Sequence, residues 1–138
     1  MKIVINKCYG GYGLSSEAIE LYLTKKNIPI EINASHSTGY NKYYIVEDNY
    51  TFNEWYIRRH DPILVEVVEE LGEKSWGTNA ELKVIEIPDN CHYQIDEYDG
   101  MESYPEIWIE VTGSELKEGL SEEKIELARQ GCSIKLVE

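Results

Sequence analysis

The sequence predicts one α+β domain: a central mixed β-sheet with about three helices packed mainly on one face. Three observations predict it. The 138 residues are 42% apolar, which suits a single modest core. Short β-branched runs and amphipathic helical stretches follow one another in the rough order β-α-β-β-α-β-β-β-α-β. No internal repeat or linker divides the chain, so residues 1–138 are read as one unit.

Residues 2–8 open the chain as a strand, with Ile3, Val4 and Ile5 as β-branched residues expected to be buried. Gly10, Gly11 and Gly13 break it. Ser15 or Ser16 caps the helix that follows, and Glu17 in its first turn suits the helix dipole. Ala18, Leu21, Tyr22 and Lys25 fall on one face of that helix, which runs to about Lys26 and stops at Asn27. Residues 28–32 read as a second strand, with Pro29 near its start. The polar stretch 33–41 reads as a mobile loop, and residues 42–46 as a strand closed by Asp48-Asn49. Residues 51–59 are ambiguous, anchored by Phe52, Trp55 and Tyr56.

The clearest helix spans 61–71. Asp61 is its cap, Pro62 takes the first helical position, and Gly72 ends it. Ile63, Leu64, Val67, Val68 and Leu71 form its apolar stripe. Residues 73–80 are a loop, 82–87 a strand, and Pro88-Asp-Asn90 a turn. Residues 93–95 and 107–111 read as short strands. Thr112 and Glu115 have capping-box spacing, a helix follows within 115–130, and 133–137 form a last strand.

Charge and cysteine content limit the partners. Thirteen Lys and Arg against 26 Asp and Glu give a net charge of −13. A nucleic acid duplex is therefore not an expected partner, since neutralising phosphates needs a basic face. No run of about twenty apolar residues exists to span a membrane. No secretory signal is read at the start, and three widely spaced cysteines (Cys8, Cys91, Cys132) suit a reducing cytoplasm better than a disulfide scaffold. Residues 84–116 contain no Lys or Arg but nine acids, read as a solvated acidic face.

The opening stretch Lys2-Ile-Val-Ile-Asn-Lys-Cys-Tyr-Gly-Gly-Tyr-Gly-Leu-Ser15 resembles that of a family of small uncharacterised phage and prophage proteins. The likeness recurs at 59–64, 67–72, 82–89 and 97–102. It implies a phage context and no particular chemistry. It ends after about Glu102, where the family's tail is shorter and basic-aromatic; here the acidic stretch 106–138 stands as an extension.

The residues themselves suggest where a ligand would sit. A strand, a glycine turn and a helix start present free backbone N–H groups and the positive end of a dipole, which suit a phosphate or carboxylate. Gly11-x-Gly13-x-x-Ser16 approaches a dinucleotide fingerprint, but serine replaces the third glycine and no second βαβ unit follows. A tight structural turn is the competing reading. Arg58-Arg59-His60 precedes the second helix start, and arginine grips phosphate with paired hydrogen bonds. The candidate ligand-binding residues are Lys7, Tyr9, Gly10, Gly11, Tyr12, Gly13, Ser15, Arg58, Arg59 and His60. Cys8 lacks a base at identifying spacing and is read as a small buried hydrophobe. The stretch 96–100 fails as an EF loop because Ile95 falls at the first ligand position. No metal, cofactor or catalytic residue is expected.

The expected function is a cytoplasmic, non-catalytic binder of a small anionic or nucleotide-like ligand, used to sequester a nucleotide-derived signal of host defence. Two alternatives stay open: an acidic protein that covers a basic host surface, and a small enzyme acting on a nucleotide. Homo-oligomerisation also stays open, given eleven tyrosines suited to interfaces.

Overall fold

The computed structural model describes residues 1–34 and 41–137. Most of the loop expected at 33–41, with His36 and Tyr40, lies outside the described residues. The elements run β1 (Lys2–Asn6), α1 (Ser16–Lys25), β2 (Ile30–Ala34), β3 (Asn41–Ile45), β4 (Tyr50–Thr51), α2 (Pro62–Leu71), β5 (Leu82–Glu86), β6 (His92–Gln94), β7 (Glu97–Tyr98), β8 (Met101–Glu102), β9 (Glu106–Val111), α3 (Gly113–Glu118), α4 (Glu122–Arg129) and β10 (Ser133–Leu136). Short 3₁₀ turns occupy Glu54–Tyr56 and Gly72–Ser75. The α+β class is as expected. The strands, however, form four small sheets in place of one central sheet: β1-β5, β2-β3-β4, β10-β9-β6 and the β7-β8 hairpin.

The strand β1 lies between two apolar clusters. Val4 packs with α1, α2, Tyr43, Ile45 and Leu82, whereas Ile3 and Ile5 pack with Ile87, Ile107, Ile109, Val111 and Leu127. A strand buried on both faces needs consecutive apolar residues, and Ile3-Val4-Ile5 supplies them. Helices α1 and α2 cover one side. The other side is closed by the sheet of β9, which pairs with β6 antiparallel and β10 parallel.

Local rules place most ends. The Ser15 side chain accepts from Ala18 N–H and caps α1. Its buried face is Ala18, Ile19, Tyr22 and Leu23, rotated from the expected stripe: the core takes Ile19 and Leu23, while Lys25 reaches Glu66 and Glu70 of α2 at the rim. Asp61 caps α2 and Gly72 ends it. The buried residues of α2 are Leu64, Val65, Val67 and Val68, each contributing roughly 1.5–3 kcal/mol on burial. The Thr112–Glu115 capping box forms, but Gly119 at φ 107° splits the expected single helix into α3 and α4.

The hairpin β7-β8 was not expected. Asp99 and Gly100 both have positive φ, 49° and 87°, which suits a two-residue turn of the type that matches strand twist. Its tip presses on the glycine turn: Gly10 N–H donates to Asp99 O at 2.9 Å, and a Cβ on Gly100 would lie 2.2 Å from Gly11 N. Gly77 meets Gly13 in the same way, donating N–H to its carbonyl at 2.9 Å, with a hypothetical Cβ 2.7 Å from Gly13 C. The turn is thus a seat on which two other backbones rest.

Gly100→Ala is expected to cost at least about 2–3 kcal/mol, from positive φ and the lost close approach. Gly113→Ala, where nothing lies within 4 Å of the added methyl, should be neutral or stabilising by up to about 1 kcal/mol. Urea denaturation of both variants measures the contrast; equal effects would mean that the hairpin does not press on the turn.

Candidate functional site

The structure distributes the ten candidate residues over four environments. The first is the interior. Strand β1 pairs with β5 along one edge only, so its other edge must find partners elsewhere. Val4 N–H donates to Arg59 O at 2.9 Å, and Arg59 Nη1 returns a bond to Val4 O at 3.2 Å. Asn6 N–H donates to Glu102 Oε1 at 2.7 Å. Arg59 and Glu102 then join through two parallel bonds of 2.6 and 2.8 Å. The Arg59 guanidinium also lies 3.5 Å from the centre of the Tyr12 ring. Burial, only partly offset by Arg59, drives the Tyr12 phenol well above its ordinary pKa. Arg59 and Tyr12 are therefore committed within the molecule, and Arg59 does not join Arg58 in one anion clamp.

The second environment is the hairpin side. Lys7 donates to Glu102 O at 3.1 Å and, with Tyr9, lines a shallow cleft against Tyr98 and Met101. The third is the glycine turn. Three of its six amides are spent: Gly10 N–H on Asp99 O, Ser15 N–H on Ser75 O at 2.9 Å, and Leu14 N–H on Glu54 Oε2 at 2.7 Å. The anion beside this turn is a carboxylate of the same chain. Gly10, Gly11, Gly13 and Ser15 border a cleft of about 540 Å³ that no described Lys, Arg or His lines. An anion therefore finds no described cation there and meets the Glu54 carboxylate instead.

The fourth environment keeps the cationic character expected of the arginine pair. Arg58 and His60 line a cleft of about 460 Å³ with Lys26, Tyr50, Phe52 and Tyr56. Arg58 is exposed and pairs with no acid among the described residues. Lys26 reaches Asp61 at 3.1 Å and lies 5.5 Å from the Tyr22 ring centre. His60 Nδ1 meets Tyr93 OH at 2.6 Å, which fixes the ring edge-on to Tyr93. Burial alone would raise the Asp61 carboxyl, but bonds from Tyr22 OH, Ile63 N–H and Lys26 outweigh it and hold it below the ordinary carboxylate range.

Sequence reasoning missed Lys26, Tyr50 and Phe52 as partners of Arg58, since only the fold brings them together. It also missed Glu54 and Trp76; the Asn53-Glu-Trp-Tyr56 cluster was the one available signal. Cys8 is half-buried, not buried, and its thiol donates to Tyr9 O at 3.3 Å. The acidic face of 84–116 is partly neutralised within the chain: Glu102 pairs with Arg59, Glu106 with Lys135, and Glu115 with Lys124. Among the described residues no three His, Cys, Asp or Glu side chains converge as metal ligands, and no helix is long and apolar enough to cross a membrane. Comparison with protein-family models, curated proteins and solved structures finds no match.

Glu102→Ala strands a mostly buried guanidinium and the Asn6 amide, and should cost about 3–5 kcal/mol in urea denaturation. The pair Arg59→Met with Glu102→Leu should cost less than Glu102→Ala alone. Asp61→Asn keeps a good cap but loses the Lys26 pairing. Because the folded-state pKa of Asp61 is depressed, its contribution is present above the unfolded value of about 3.9 and is lost as pH falls through the folded one. The variant should be less stable by about 1 kcal/mol at pH 7, and the gap should close as the pH falls below the ordinary carboxylate range.

Proposed function

We propose that the protein is a non-catalytic binder of a small anionic ligand of nucleotide type, held in the cleft between α1, β4 and the start of α2. The observation that carries this reading is the arrangement around Arg58. In a chain with twice as many acids as bases, an exposed guanidinium without an acidic partner among the described residues faces a cleft that also holds Lys26 and His60. Arginine binds phosphate through a planar pair of donors, and lysine adds charge. Tyr50, Phe52 and Tyr56 border the same space, and aromatic rings stack on bases without reading sequence. A volume of about 460 Å³ falls in the range of small-molecule pockets.

One detail supports binding without turnover: the Asp61 carboxylate already accepts from Tyr22 OH, Ile63 N–H and Lys26, so it is not free to take a proton from a ligand. The resemblance of the opening stretch to phage-encoded proteins extends the reading: the ligand is a nucleotide-derived signal of host defence, and binding sequesters it.

Thermal unfolding with ADP, cyclic dinucleotides and ADP-ribose, each against inorganic phosphate, tests the reading. A ligand at a hundredfold its Kd should add about 2.7 kcal/mol of stability. Arg58→Ala should weaken binding by about 10- to 100-fold, the loss of a charge-assisted pair worth about 1.5–3 kcal/mol. No stabilisation by any nucleotide, or equal binding by Arg58→Ala, would overturn it.

A further inference from the structure

The cleft beside the glycine turn has the opposite character, and it stands on its own observations. Glu54, in the 3₁₀ turn Glu54–Tyr56, places its carboxylate against the amide of Leu14. Burial pushes this carboxyl up, and only the Leu14 N–H opposes the shift; no cation among the described residues contributes. No described Lys, Arg or His lines the space of about 540 Å³ around it. A half-buried carboxylate with one hydrogen bond and no counter-charge among the described residues is an unfinished interaction.

The walls indicate what would finish it. Tyr43, Trp55 and Trp76 border the same cleft, and Ser16, Asn41 and Asn79 add polar groups. Trp55 is 69% exposed yet fixed, because its indole N–H donates to Tyr12 O at 3.2 Å. Aromatic faces carry negative potential and attract organic cations, tryptophan most strongly. The hydroxyl of Tyr43 reaches a second carboxylate, Glu20, at 3.2 Å, so the negative potential extends along this wall. The Glu54 carboxylate occupies the Leu14 amide that an anionic ligand would need.

We propose that this cleft binds a small organic cation, an alkylammonium or guanidinium compound, with Glu54 as its counter-charge and Trp55, Trp76 and Tyr43 as its walls. The cation stacks on the indoles and donates hydrogen bonds to the Glu54 carboxylate. The two groups of compound share one chemistry: positive charge on an apolar body, with a guanidinium adding planar paired donors.

The full-length protein is titrated with 1,4-diaminobutane, tetramethylammonium and arginine methyl ester at constant ionic strength, with sodium as control. Indole emission and calorimetry follow binding. A saturable response absent with sodium is expected, weakened at least tenfold by Glu54→Gln and by Trp55→Ala and unchanged by Glu69→Gln, an exposed acid on α2. Tighter binding of arginine methyl ester than of tetramethylammonium marks the cleft as a guanidinium site, and the reverse order as a quaternary ammonium site. Glu54→Gln retains a carbonyl for the Leu14 amide, and Trp55→Ala removes an exposed ring, so both variants should fold. A response that does not saturate, or that Glu54→Gln and Trp55→Ala leave intact, would overturn the proposal. Arg58→Ala should leave cation binding unchanged, so failure here is separable from failure of nucleotide binding at the other cleft.

Discussion

The second edge of β1 constrains much of the molecule. A strand buried on both faces cannot leave its amides and carbonyls to water, yet among the described strands only β5 pairs with it. Arg59 and Glu102 act in place of a third strand. One supplies a carbonyl and a guanidinium to Val4, the other a carboxylate to the Asn6 amide, and the two close on each other. The Asn6 side chain completes the arrangement. Fully buried, it donates to the carbonyls of Cys8 and Gly100 and accepts from the amides of Cys8 and Glu81, which uses its whole hydrogen-bonding capacity. Elements far apart in sequence are thereby tied to one strand end.

That network gives the glycine turn its meaning. The turn follows the strand end that Asn6 anchors, and the 97–102 hairpin and the loop around Gly77 both rest on it. Side chains at these contacts would hold the backbones apart, so small residues serve packing. Three of the amides that could have cradled a phosphate are taken up by Asp99, Ser75 and Glu54. The flanks differ in character, with a cleft by Arg58 that holds cations and aromatic rings and a cleft by Glu54 that holds an acid and aromatic rings. The 3₁₀ turn Glu54–Tyr56 links them, with Trp55 bordering one and Tyr56 the other.

The sequence by itself determined what depends on near neighbours. Apolar residues at successive positions made β1, a Ser cap made the start of α1, Asp61-Pro62 and Gly72 bounded α2, and Thr112 with Glu115 began α3. The α+β class followed from these. Legibility faded where a partner outside the segment decides. Asp99-Gly100 carried a hairpin signal, but two-residue strands have too little periodicity to stand out. The rotation of α1 was set by burial of Ile19 and Leu23 in the cluster shared with Leu64, Val67 and Val68 of α2, about forty residues away. Only tertiary structure could decide which arginine of an adjacent pair turned inward, because the choice depends on Val4 and Glu102. It likewise decided that the glycine turn is a packing seat. Turn propensity is local, but the fate of each amide depends on which distant oxygen the fold brings to it.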